Sequence, residues 1–195
     1  MDWEAEARAS LRAYFVEKGE WVKEEWPRII AAFQPREVAR GETLLREGEV
    51  ADFLWWPHTG LFRFFFFLDG EDKTKYFAFE RFPFTSTQSY ANQVPARENI
   101  VALEAGLLIG IKFADSDRLL VECPSWVRFV RGLLSEVQTG IDELLLEAQF
   151  QTAEQRYRDL LDNNPRFLQR IPLKYIASYL GITPESLSRI RKKLL

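Results

Sequence analysis

Polar and basic side chains suited to recognition chemistry are concentrated in "IASYLGITPESLSRIRKKLL", residues 176–195. The candidates are Thr183, Glu185, Ser186, Ser188, Arg189, Lys192 and Lys193. Arginine can donate to both major-groove acceptors of guanine, glutamate can accept from cytosine, and serine and lysine suit phosphates. This combination predicts a surface that contacts nucleic acid, provided that the local structure turns these side chains outward.

The apolar residues between the candidates have the spacing of two short helices. Thr183 can act as the N-cap of the second helix, Pro184 suits its first position, and Gly181 permits a sharp turn before it. The inward-facing set is Ile176, Ala177, Leu180, Ile182, Leu187, Ile190 and Leu194. The pattern predicts a helix-turn-helix, whose second helix lies in the DNA major groove. An ordinary solvated helical pair is the alternative interpretation.

Charge is distributed unevenly along the 195 residues. Residues 166–195 hold seven Lys or Arg residues against one Glu, a formal charge of +6. The remaining residues carry 19 basic and 28 acidic side chains, so their formal charge is −9. A basic end on an acidic body indicates that one face meets a polyanion.

Several classes of function are disfavoured by the residue inventory. Cys123 is the only cysteine and His58 the only histidine, so an internal disulfide, a zinc site and a Cys-ligated iron–sulfur cluster are not expected. No phosphate loop or nucleophile motif appears, and a metal enzyme on a β scaffold would need more histidines. Because neither a signal peptide nor a long apolar run is present, we expect a cytoplasmic protein without a membrane partner.

The elements that must position the basic end follow from hydrophobic periodicity. Helical spacing covers residues 3–17 and roughly 20–33. From Pro35 to about residue 112, short apolar runs divided by turns predict an antiparallel jelly roll. Within its "FRFFFFLDG" stretch, we expect residues 64–67 to be covered on both faces and Asp69 and Gly70 to form a hairpin turn.

Helical spacing returns after Asp115 and predicts one long helix over residues 125–150, about 38 Å at 1.5 Å per residue. That exceeds what a jelly roll of this size needs as a cover, so we predict that the helix pairs with a second copy. The predicted dimerisation residues are Val130, Leu134, Val137, Ile141 and Leu144. Simple cover of the core is the alternative.

The predicted fold class is therefore α+β: an N-terminal antiparallel β jelly roll with flanking helices, a long dimerisation helix, and a small C-terminal all-α helix-turn-helix domain. The corresponding segments are residues 1–114, an effector domain, 115–150, the long helix, and 151–195, the DNA-binding domain. The polar break "DNNPRF", residues 162–167, precedes the last thirty residues of the sequence.

Two stretches resemble the Crp/Fnr family of bacterial transcription regulators. In "RGETLLREGEVADFLWWPHTGLFRFF", Gly41, Gly48 and Gly60 match the turn glycines of the cyclic-nucleotide-binding jelly roll. In "RIPLKYIASYLGITPESLSRIRKKL", Glu185, Ser188 and Arg189 stand where the family carries its E-x-x-S-R base-reading set. The resemblance implies half-sites of the TTGA kind. The sequence ends at Leu195, where many relatives continue into a β-hairpin wing, so it implies a minimal DNA-binding domain.

The same resemblance places a candidate effector pocket at Glu80, Thr85, Ser86 and Arg97. Cyclic-AMP-binding members carry a Gly-Glu pair and an Arg-Ser or Arg-Thr pair, which cradle the cyclic phosphate. Here Glu80 lacks the glycine and Arg97 is followed by Glu98, so a divergent pocket is expected and a cyclic nucleotide is disfavoured as cofactor.

The leading hypothesis is a homodimeric transcription regulator that binds palindromic double-stranded DNA. A small-molecule effector and RNA polymerase are candidate further partners. The alternative is a ligand-binding or protein-interaction module that does not bind DNA. The two differ in salt dependence, because each phosphate contact releases counterions and makes affinity fall steeply with salt.

Overall fold

A computed structural model describes residues 2–18, 22–163 and 165–194. Its helices are α1 (Trp3–Glu17), α2 (Trp26–Ala31), α3 (Thr87–Asn92), α4 (Phe113–Glu122), α5 (Pro124–Phe150), α6 (Ala153–Asn163), α7 (Pro165–Arg170), α8 (Leu173–Leu180) and α9 (Pro184–Leu194). The predicted helices over residues 3–17 and 125–150 are confirmed by α1 and α5. The helix expected over roughly 20–33 is shorter in the structure, where α2 spans only Trp26–Ala31. Residues 20 and 21 of that prediction lie outside the described residues.

The strands between Phe33 and Lys112 form two antiparallel sheets, which confirms the predicted α+β class. They are β1 (Phe33–Val38), β2 (Thr43–Leu45), β3 (Phe53–Thr59), β4 (Phe62–Leu68), β5 (Glu71–Ala78), β6 (Asn99–Ala102) and β7 (Gly106–Lys112). One sheet has the order β1-β7-β3, with Phe33 opposite Ile111 and Leu54 opposite Ile111 on the other side. The other has the order β2-β6-β4-β5, so β5 is an edge strand.

Two compact units divide the chain. The first comprises residues 1–64 and 77–135, and the second comprises residues 65–76 and 136–195. The boundary therefore falls inside α5, and the tip of the β4–β5 hairpin belongs to the unit that contains α6 to α9. No helix among the described residues combines the length and apolar character that a bilayer crossing would require.

The core of the first unit is built from aromatic side chains on helices and strands. Phe15 of α1 stacks on Phe129 of α5 at 4.0 Å between ring centroids, and Trp126 of α5 lies 5.2 Å from Phe129. Trp56 of β3 is fully buried beside them. Since aromatic side chains bury about 150–250 Å² each, this cluster fixes the first turns of α5 to α1 and the three-stranded sheet.

The phenylalanine run in β4 is covered only at its start. Phe64 is fully buried, but Phe67 is 57% exposed, so the prediction that residues 64–67 are covered on both faces is wrong at its far end. The strand runs past the packed layer into the hairpin tip. The hairpin turn itself is confirmed, because Asp69 and Gly70 both have positive φ, 53° and 79°.

Candidate nucleic-acid interface

Helices α8 and α9 pack against each other around a glycine turn. Ile176, Ala177 and Leu180 of α8 and Leu187 of α9 are buried. Gly181 ends α8 in the left-handed conformation at φ 71°, where a side chain would be strained. The Ile182 N–H then donates to the Ala177 carbonyl at 3.0 Å. The chain thus turns sharply between two short helices.

Thr183 caps the start of α9. Its Oγ1 accepts from the Ser186 N–H at 3.2 Å, which satisfies one of the amides that an α-helix leaves unbonded at its start. Thr183 Oγ1 also lies 3.2 Å from Ser186 Oγ, so both hydroxyls are engaged locally. Pro184 occupies the first helical position, as predicted.

The outward face of α9 carries most of the predicted contact residues. Glu185, Ser188, Arg189 and Lys192 are exposed, whereas Ser186 is partly buried. The pKa of Glu185 is lowered by a hydrogen bond from its own backbone N–H, by the Thr183 hydroxyl and by the charge of Arg189. Glu185 therefore stays ionised and can act as an acceptor. The Lys193 ammonium is ion-paired with Glu154 of α6.

Helix α6 contributes a further contact that the sequence did not indicate. Arg156 Nη2 donates to the Leu180 carbonyl at 2.6 Å, next to the turn between α8 and α9. Arginine at a helix C-terminus satisfies a carbonyl without an intrahelical partner and complements the helix dipole. Arg156 bonds α8 at Leu180 and Glu154 pairs with Lys193 of α9, so α6 contacts both helices of the pair.

The β4–β5 hairpin supplies another contact to the helix pair. The hydroxyl of Ser178, in α8, accepts from the Thr74 N–H at 2.8 Å and lies 3.4 Å from the Asp72 carbonyl. The sequence pattern gives no sign of this contact, because Ser178 is simply a polar residue in a short amphipathic helix.

An apolar stripe follows the length of α5. Val127, Leu134, Ile141 and Leu144 are exposed, with Leu134 at 50% and Ile141 at 46%. Together with Val130 and Val137, which are partly buried, they recur in steps of three and four. Val130 packs against the core of the first unit. The stripe therefore has the a/d spacing of a two-stranded coiled coil over about three heptads.

The four predicted effector residues all lie in the first unit. Glu80 Oε1 accepts from the Gly60 N–H at 3.2 Å, and Thr85 Oγ1 donates to the Phe53 carbonyl at 2.8 Å. Ser86 is buried at the start of α3, and Arg97 is exposed. The bonds of Glu80 and Thr85 described here both join main-chain groups.

Aromatic packing fills the space near these residues. Phe84 lies 4.8 Å from Phe62 and 5.8 Å from Phe64 between ring centroids, and its N–H and carbonyl both bond Trp55 at 2.9 Å. A nearby cavity holds about 10 Å³, and its lining is Leu11, Phe33, Leu54, Trp55, Trp56, Pro83 and Phe129. That is about the smallest space that can hold one water molecule, and its walls are mostly apolar.

Comparison with solved structures identifies the fold. FixK2 from Bradyrhizobium japonicum matches at TM-score 0.72 and 18% identity, over 83% of this chain and 84% of that one. A putative Crp/Fnr regulator from Eubacterium rectale matches at 0.68 and 14%, over 90% and 84%. Thermus thermophilus catabolite activator protein matches at 0.56 and 22%, over 89% and 83%. No family model and no curated protein matches the sequence. The chain has the fold of these regulators.

Proposed function

We propose that this protein is a sequence-specific DNA-binding transcription regulator of the Crp/Fnr type. The observation that carries the proposal is the α8–α9 pair, whose capped second helix exposes Glu185, Ser188, Arg189 and Lys192 on one side. Guanidinium, carboxylate and hydroxyl groups on a helix that fits the major groove can read base edges. The shared fold with regulators of this kind supports the same assignment.

The charge distribution favours DNA as the partner of this surface. The formal charge of +6 in residues 166–195 contrasts with −9 elsewhere, so this segment of the chain attracts a polyanion. Arg189, Lys192 and the polar side chains between them can combine phosphate contacts, which position the protein, with base contacts, which specify the site.

The proposal includes a homodimer formed through α5. The exposed stripe of Leu134, Ile141 and Leu144 has the period of a coiled-coil seam, and pairing would remove these apolar side chains from water. A two-fold dimer presents two copies of α9, so the operator should be a rough palindrome with half-sites about one helical turn apart.

Selection of bound duplexes from a random pool, with and without cell extract, tests the proposal. Enrichment of palindromic sites that bind less tightly as salt increases is the expected result. Dependence on extract would identify a requirement for an effector. A protein that enriches no sequence and binds no duplex even at low salt would contradict the assignment and favour a protein-interaction module.

A further inference from the structure

Two main-chain groups on the outer edge of β5 are bonded by a side chain of α8 instead of another strand. In the sheet order β2-β6-β4-β5, β4 is the neighbour of β5 on one side. Residues two apart in a strand direct their main-chain groups to the same side. On the α8 side, the Thr74 N–H and the Asp72 carbonyl both meet the Ser178 hydroxyl, at 2.8 and 3.4 Å. One hydroxyl can accept the first bond and donate the second.

The bond from Thr74 lies in a protected environment. Thr74 is only 7% exposed and its bond to Ser178 is partly buried, so loss of the Ser178 oxygen removes the acceptor from a largely covered N–H. A buried donor left without an acceptor costs about 1–3 kcal/mol. The contact therefore favours one placement of α8 against the strand edge over alternatives that break it.

Ser178 also belongs to the turn that leads into α9. Its carbonyl accepts from the Gly181 N–H at 3.1 Å, and the following Ile182 N–H bonds the Ala177 carbonyl. The side chain of this residue thus holds β5 while its main chain takes part in the glycine turn. A shift of α8 at Ser178 would be transmitted to α9 through the two main-chain bonds of this turn.

We infer that Ser178 is a positioning residue for DNA recognition, whose hydroxyl fixes α8, and with it α9, to the edge of β5. The inference rests on the proposed function. Holding the helix pair in one orientation reduces the conformational entropy lost on binding DNA, so it should matter more for a specific operator than for an unrelated duplex.

The test compares S178A, S178T and S178C with the unaltered protein. The measurements are affinity for a selected operator, affinity for an unrelated duplex, and hydrogen exchange of the Thr74 amide. In S178A we expect faster Thr74 exchange and operator affinity reduced by up to about tenfold, which is the full effect of one buried hydrogen bond that forms only in the DNA-binding orientation. S178T keeps the hydroxyl and should keep both properties. S178C has nearly the size of serine but bonds weakly, so it should behave like S178A.

The matched control is S135A, which removes a hydroxyl from an exposed position of α5. It should leave operator affinity and Thr74 exchange unchanged. Unchanged operator affinity in S178A together with faster Thr74 exchange would overturn the inference, as would an S178T variant as weak as S178A. If the unaltered protein itself bound no duplex, that result would contradict the proposed function, and it is distinguishable from a failure of the Ser178 inference alone.

Discussion

Lys193, near the end of α9, is held by Glu154 of α6: its Nζ lies 2.8 Å from one carboxylate oxygen and 2.9 Å from the other. Arg158, one turn further along α6, lies 3.6 Å from the same carboxylate. The Lys193 side chain is largely exposed, so the pair is worth no more than about 1 kcal/mol. In the proposed complex, a DNA phosphate would nevertheless compete with Glu154 for this ammonium group.

Replacing Glu154 with Gln should therefore strengthen DNA binding. The change frees Lys193 for phosphate and removes a negative charge near the proposed interface. We expect severalfold tighter binding, and a slope of log affinity against log salt that is steeper by about one. Titration of a labelled duplex at several salt concentrations measures both. E143Q, which removes the same charge from an exposed position on α5, is the control; equal effects of the two variants would contradict the prediction.

Substitutions at Arg189 and Lys192 should have different effects, because the first residue is proposed to contact bases and the second to contact phosphates. Arg189→Ala should cost about 1–3 kcal/mol of operator affinity and relax base preference at one position of each half-site. Lys192→Ala should weaken binding to all sequences alike and lower the salt slope by about one. Repeating the duplex selection with each variant measures both effects. An Arg189 variant with unchanged base preference would remove that residue from the reading role.

Ile141→Glu should dissociate the proposed dimer. Its side chain is 46% exposed in the middle of the α5 stripe, where a carboxylate would be placed against the same residue of a second copy. Light scattering after size exclusion should show the mass of two chains for the unaltered protein and of one for the variant. Gln149→Glu introduces the same charge at an exposed position of α5 and should stay dimeric. A dimeric Ile141 variant would place the interface elsewhere.

Two glycines should respond in opposite directions to alanine. A Cβ at Gly132, within α5, would meet nothing within 4 Å, and Gly132→Ala should stabilise the fold by about 0.5–1 kcal/mol. A Cβ at Gly110, in β7, would lie 2.4 Å from the Trp55 ring, so Gly110→Ala should destabilise it by about 1–3 kcal/mol. Urea unfolding measures both changes. Similar midpoints for the two variants would show that the Trp55 ring moves aside easily.

Local patterns predicted the elements well and the contacts between distant residues poorly. The period of apolar residues located α5 almost to the residue, and Thr183, Pro184 and Gly181 defined the ends of α8 and α9, because these signals act within a few positions. The Ser178–Thr74 bond joins residues 104 positions apart, so no local spacing encodes it. Arg63 in β4 is only 2% exposed, although arginine is a residue that sequence patterns place at the surface.

The contacts of Ser178 with the edge of β5 also bear on the self-association of this protein at high concentration. Unbonded strand edges recruit strands from other molecules and start intermolecular sheets. Here the Asp72 carbonyl and the Thr74 N–H are already engaged by Ser178. They lie beside a hairpin tip that exposes the apolar side chains of Phe67 and Leu68, which would favour such pairing. The Ser178 hydroxyl thus leaves two main-chain groups of this edge unavailable for pairing with a strand of another molecule.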